Sequence, residues 1–235
     1  MQVSTLTRLQ TLKIDLLDSE RHIPSSGFGA LAPLAPTLRR LSLGSCNVPN
    51  TLSTLTRLEF LGMDSVKQEQ SHALDAALQH LRHLTDLRII SCTSAPPTSL
   101  TALTLLRTLT LGPWSDGDYY LLPDGEWLAG LRHLAIPDHM AFFSRRVLQQ
   151  ARSLEVLAVG DNSSDRFGAR LVEWFVHQHL EKLWHPALHV LGGEVQRTNP
   201  HVAARLLDAV RLFPHLPLHL EVHSPSQSYP LLTWF

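Results

Sequence analysis

The chain has 235 residues, 44% hydrophobic and 17% charged, enough apolar material for one folded domain or two small ones. Its 20 Lys and Arg residues offset 21 Asp and Glu to a net charge of −1, which gives no general pull toward nucleic acid or an anionic membrane. Two cysteines, an N-terminus unlike a secretion leader and the lack of a membrane-length apolar run set the expectation of a soluble cytoplasmic protein.

In chain order, one phrase recurs: leucine, two residues, leucine, two residues, leucine, one residue, an aliphatic residue, then two residues and Cys, Asn or a substitute. It starts as Leu6-x-x-Leu9-x-x-Leu12-x-Ile14 and returns as Leu38-x-x-Leu41-x-Leu43-x-x-Cys46. Between these copies, Gly27-Phe28-Gly29 reads as a turn. The third copy is Leu55-x-x-Leu58-x-x-Leu61-x-Met63, and the segment after it, Ser71 to Leu81, reads as a helix with Ser71 as N-cap. The fourth runs Leu81-x-x-Leu84-x-x-Leu87-x-Ile89-x-x-Cys92 and the fifth Leu103-x-x-Leu106-x-x-Leu109-x-Leu111. Pro96-Pro97 and Gly112-Pro113 mark the segments after them as irregular, because proline blocks helix continuation. Leu128-x-x-Leu131-x-x-Leu134-x-Ile136 is the sixth copy, and Leu154-x-x-Leu157-x-Val159-x-x-Asn162 the seventh.

The strand leucines of these copies, at 12, 41, 61, 87, 109, 134 and 157, are separated by 29, 20, 26, 22, 25 and 23 residues. Alternation of the type Leu12/Ile14 or Leu41/Leu43 marks a short strand with one buried face. No single unit can bury its apolar face alone, so neighbouring units must stack.

Beyond Asn162 the phrase weakens. Arg166 to Trp184 reads as a helix with Leu171, Trp174, Phe175, Leu180 and Leu183 on one face, and Leu188 to Leu191 as an eighth, degenerate strand. Asn199 and Pro200 open a further helix through Phe213, and Leu216 to Val222 alternates as a strand does. The organisation expected is repeats over 1–165, then degenerate repeats and a C-terminal cap over 166–235. The first repeat starts without a comparable cap, which fits a fragment of a longer protein, the favoured expectation, or a first repeat covered by a partner or by self-association.

Over 1–165 the seven phrases resemble the leucine-rich-repeat family, whose repeats are about 20–29 residues long. The resemblance implies an α/β solenoid with a curved parallel sheet on the concave face and helices and irregular segments on the convex face. The variable intracellular types found behind F-box domains are the nearer match, since only Ile23-Pro24 fits the plant-receptor phrase Leu-x-Gly-x-Ile-Pro. No F-box segment is present, so no ubiquitin-ligase role carries over. What the resemblance implies is a non-catalytic scaffold that binds a protein partner without a cofactor, and possible use as a substrate-recognition module.

Candidate chemistry is thin beside that reading. Cys46, Cys92 and Asn162 occupy the slot where the family places a small polar residue against the turn leaving the strand, which implies a structural role. His219-x-Glu221-x-His223 puts two imidazoles and a carboxylate on one face of a strand, a ligand set for zinc or iron; the same pattern is that of a solvated strand face. His177 and His179 diverge on a helix. Asp116-Gly117-Asp118 lacks the remaining ligands of a calcium loop and reads as a turn, as does Gly192-Gly193. Neither a nucleophile elbow nor a phosphate loop occurs.

On the concave face the alternation exposes charges of both signs and an aromatic in the first four repeats. Arg40, Phe60, Asp64 and Arg88 are the expected centre of a partner site, since arginines and aromatics dominate many protein interfaces. Two other readings compete: a metal-dependent enzyme built on His219, Glu221 and His223, and a ligand-sensing ectodomain fragment.

Overall fold

The computed structural model describes residues 8–15, 25–44, 47–64, 66–90, 96–112, 121–137, 150–160 and 189–192. They form eight strands: β1 (Thr11–Asp15), β2 (Arg40–Gly44), β3 (Phe60–Met63), β4 (Asp86–Ile89), β5 (Thr108–Leu111), β6 (His133–Pro137), β7 (Val156–Gly160) and β8 (His189–Gly192). All pair in parallel, each with its sequence neighbours, in the order β1 to β8. The register holds without a slip: Leu12, Leu41, Leu61, Leu87, Leu109, Leu134 and Leu157 form one row across the sheet. Parallel neighbours joined by crossovers, whose described segments pack on one shared core, make a solenoid-like α/β fold.

The leucine phrase explains each part of the unit. Leu41, Leu61, Leu87, Leu109 and Leu134 are buried, and so is the row two residues on, Leu43, Met63, Ile89, Leu111 and Ile136. The leucines before β2 to β7 are buried too, and their three-residue spacing closes a turn. The N–H of Leu58 donates to the Leu55 carbonyl, Leu84 to Leu81 and Leu106 to Leu103, each at 3.0 Å. The residue that follows each turn extends the parallel ladder, as when the Thr85 N–H donates to the Glu59 carbonyl (2.8 Å) and the Arg107 N–H to that of Thr85 (2.7 Å).

The crossovers differ in form but bury the same kind of side chain. Ser25–Leu34 is a 3-10 helix carrying Phe28, Leu31 and Leu34 into the core, and Leu52–Thr54 is a single 3-10 turn. Helix α1 (Gln68–Leu78) inserts Leu74 and Leu78; the 3-10 segments Thr98–Ala102 and Glu126–Gly130 insert Leu100 and Trp127. The Trp127 indole N–H is satisfied by the Pro123 carbonyl at 3.1 Å.

Four sequence expectations need correction. Helix α1 begins at Gln68, and Lys67 stands at its N-cap with no side-chain cap bond. Its first turn is tied to the preceding repeat: the Gln70 amide donates to Asn47 Oδ1 and accepts from the Val48 N–H. That tie makes a hydroxyl cap at Ser71 unnecessary. Gly27-Phe28-Gly29 lies within a 3-10 helix because Phe28 must reach the core. The segment after Pro96-Pro97 is not irregular throughout, since Pro97, with its fixed φ, leads into the 3-10 helix Thr98–Ala102. Gly192 ends β8, paired with Val159, instead of forming a turn. Cys46, Cys92, Asn162, Asp116–Asp118 and the helices and strand expected over 166–184, 199–213 and 216–222 lie outside the described residues.

Two contacts bind repeat to repeat away from the sheet rows. Beyond β5, the Gly112 N–H donates to the Ile89 carbonyl at 2.7 Å, and a Cβ on Gly112 would lie 1.7 Å from the Ile90 carbonyl oxygen. That obstacle is backbone and cannot rotate away. Gly112→Ala is therefore expected to cost about 1–3 kcal/mol of stability, as overpacked sites do, read as a lower urea midpoint.

On the other side of the sheet, Asp75 of α1 accepts the Ser99 N–H (2.8 Å) and the Thr98 hydroxyl (2.9 Å), closing the start of the next 3-10 segment. The buried Ser99 hydroxyl itself has no partner among the described residues. Partial burial alone would raise the Asp75 pKa. The bonds from Ser99 and Thr98, with the charge of His72, outweigh it and hold the carboxyl below its ordinary value. A lowered folded pKa means that the contribution is present above the unfolded value of about 4 and fades as pH falls through the folded one. Asp75→Ala should cost about 1 kcal/mol at neutral pH, the usual worth of such a cap, and the gap from wild type should close in acid unfolding titrations.

Candidate functional site

The side chains opposite the buried rows face away from the core. In the first open row, Arg40, Phe60, Asp86, Thr108 and His133 are register partners; in the second, Ser42, Gly62, Arg88, Thr110 and Ala135 are. Strand alternation alone requires this, since the strand leucines of β2 to β6 are buried.

Register brings together two residues twenty positions apart in sequence. Arg40 opens β2 and Phe60 opens β3, and the Arg40 guanidinium carbon lies 4.5 Å from the Phe60 ring centroid. The ring does not stand upright. A Cβ on Gly62 would meet Phe60 Cε1 at 3.2 Å and Cζ at 3.3 Å, so the ring leans along its own strand over the bare backbone of Gly62. This leaves Phe60 half-buried on an open face, with cation above it and peptide beneath. Such a stack is worth about 0.5–1 kcal/mol at an exposed site, and it holds the ring and the guanidinium in one orientation.

Arg88 is the register partner of Gly62. It is half-buried, and its Nε is shielded from solvent with no acceptor among the described residues. Asp64 stands at the far end of β3 from Phe60, exposed, with its N–H donated to the Leu43 carbonyl at 3.0 Å. The structure thus gathers Arg40, Phe60 and Arg88 around Gly62 and sets Asp64 at the margin of that group.

Two polar features of this face escaped the sequence reading. Asp86, next to Phe60 in the first row, accepts the Thr85 hydroxyl at 2.6 Å. Further along, the Thr108 hydroxyl lies 3.4 Å from His133 Nδ1, while His133 Nε2 lies 3.9 Å and Arg132 3.5 Å from the Glu155 carboxylate. The order hydroxyl, imidazole, carboxylate is that of a nucleophile and its base, but the ion pairs are half exposed and the spacings are longer than proton transfer uses. Only the register, which aligns Thr108 with His133, could have signalled it.

Among the described residues, no three His, Cys, Asp or Glu side chains converge to hold a metal ion, and no helix is long and apolar enough to cross a membrane. His219, Glu221 and His223 lie outside the described residues, as do His177 and His179.

Neither a protein-family model nor a curated protein matches the sequence. Among solved structures, the chain is similar to an internalin from Listeria monocytogenes at 14% identity and a TM-score of 0.46. The match covers 95% of this chain and 57% of the internalin, so the chain spans little more than half of that protein's length.

The stack makes a measurable claim about side-chain coupling. A double-mutant cycle with Arg40→Ala and Phe60→Ala should return a coupling of about 0.5–1 kcal/mol in urea unfolding. Gly62→Val should abolish that coupling, because its side chain takes the space the ring occupies.

Proposed function

We propose that the protein is a non-catalytic interaction scaffold that binds a partner protein on the open, concave face of its sheet. The observation that carries the reading is the Arg40–Phe60 stack laid over Gly62, with Arg88 beside it. An aromatic and two arginines on rigid strands are the anchors protein interfaces favour, and anchors already held in place lose less entropy on binding. Asp64 adds the opposite charge at the margin of the site and would select the partner's orientation. In this reading residues 166–235 complete and cap the solenoid, no cofactor takes part, and the scaffold works in the cytoplasm.

Affinity capture from extract of the source cells, read by mass spectrometry, tests the site when wild type is compared with Phe60→Ala, Arg88→Ala. Both baits are first checked for equal thermal unfolding. A protein enriched on wild type and reduced about tenfold or more on the variant is the expected result, the size of loss that one or two anchors carry. Partners retained equally by both baits would move the site off this face, and the absence of any specific partner would count against the scaffold reading.

A further inference from the structure

The turns that approach the strands carry a feature that the open face does not. From the second repeat to the seventh, each approach turn contains one arginine: Arg39, Arg57, Arg82, Arg107, Arg132 and Arg152. They fall at different positions within the leucine phrase, yet stacking lines them along the same edge of the solenoid. Arg39 is half-exposed and the other five are exposed. In the same turns, Glu59 and Glu155 are the only acidic residues. A chain of net charge −1 thus concentrates positive charge along one edge.

Two further observations set this edge apart from an ordinary solvated surface. Several of the guanidiniums are held in place by backbone of the adjacent repeat: Arg57 donates to the Pro36 carbonyl (3.1 Å) and Arg107 to that of Gly130 (2.9 Å). Arg39 donates to Glu59 (3.2 Å) and, at 3.5 Å, to the Arg57 carbonyl. Each bond uses part of a five-donor fork and restrains the guanidinium, so donors remain for a ligand on a side chain already held in place. The second observation is Leu105, which lies in the approach turn of Arg107 at 44% exposure. A large apolar side chain among cations suits a partner that brings both acid and hydrocarbon.

We propose that this edge is a second binding surface, for an extended acidic segment of a partner protein that seats an apolar side chain on Leu105. Strands about 4.8 Å apart place the six arginines along roughly 24 Å, the reach of about seven or eight extended residues. Nucleic acid fits less well. The approach turns hold no Phe, Tyr or Trp on which a base could stack, and Glu59 and Glu155 would face phosphates. An acidic polypeptide can leave those two positions to neutral residues.

The test uses the full chain and a fluorescein-labelled peptide of about twelve residues, glutamate throughout save one central leucine, read by anisotropy at low salt. Saturable binding is expected, weakened about tenfold or more by Arg82→Glu with Arg152→Glu, neither of which makes an ion pair among the described residues. Leu105→Ser should erase the advantage of this peptide over an all-glutamate one. Phe60→Ala, Arg88→Ala should leave binding unchanged, so failure of the open-face reading would not be mistaken for failure here. If charge reversal perturbs thermal unfolding, Arg82→Gln with Arg152→Gln is read instead. The absence of saturable binding, indifference to the substitutions, or tighter binding of a twelve-nucleotide thymidine strand would each overturn the proposal.

Discussion

Each repeat of this protein is too small to hide its own leucines, so neighbouring repeats must hide them for one another, and the rest of the structure depends on that exchange. The strand leucines lie in register from β1 through β7. At about 25 cal/mol for each Å² of apolar surface removed from water, a leucine that stacks on two others gains what it could never gain alone. A slip of one residue in any strand would turn its leucines outward, so burial and register enforce each other. The turns before the strands serve the same end. By closing three-residue loops and passing one more N–H to the previous repeat, they deliver each strand at the same height.

Because the sheet carries the constraint, the crossovers are free to vary. Separations between strand leucines run from 20 to 29 residues without disturbing the rows. Among the described residues, the shortest holds the 3-10 turn Leu52–Thr54, while a longer one accommodates α1. Side chains tie these unequal segments together: the Thr51 hydroxyl donates to the Phe28 carbonyl (3.1 Å), Gln70 holds Asn47 and the Val48 N–H, and Asp75 holds Thr98 and Ser99. The polar bonds thus set the spacing of the crossovers, and the leucines supply most of the cohesion.

Function, in this arrangement, has to use surfaces that the core does not need. The open face offers them in rows one strand apart, and small residues matter there as much as large ones. Gly62 decides where the Phe60 ring lies, and the ring decides where Arg40 rests. Consecutive residues divide the labour: Arg40 belongs to the open face, while Arg39 turns to the approach edge and pairs with Glu59. One tetrapeptide, Leu38 to Leu41, therefore serves the core and both surfaces at once.

The amino-acid sequence by itself determined the strands of the repeated phrase, their parallel order and the burial of the phrase leucines, because a phrase repeated seven times has few ways to bury itself; the core residues of the crossovers, Phe28 and Trp127 among them, were not legible in it. It also named Arg40, Phe60 and Arg88 as facing outward, since alternation is a consequence of the buried leucines. The start of α1 was beyond it. Ser71 has the chemistry of a cap, and the tie that replaces it, from Gln70 to Asn47, spans 23 residues. The lean of Phe60 over Gly62 and the stacking of Arg40 were equally hidden, because they depend on what a neighbouring strand leaves vacant. The arginine edge shows the limit most clearly. Its residues are spread over three positions of the phrase and form no single motif; the stacking of one repeat on the next, driven by burial of the leucines, brings them to one edge.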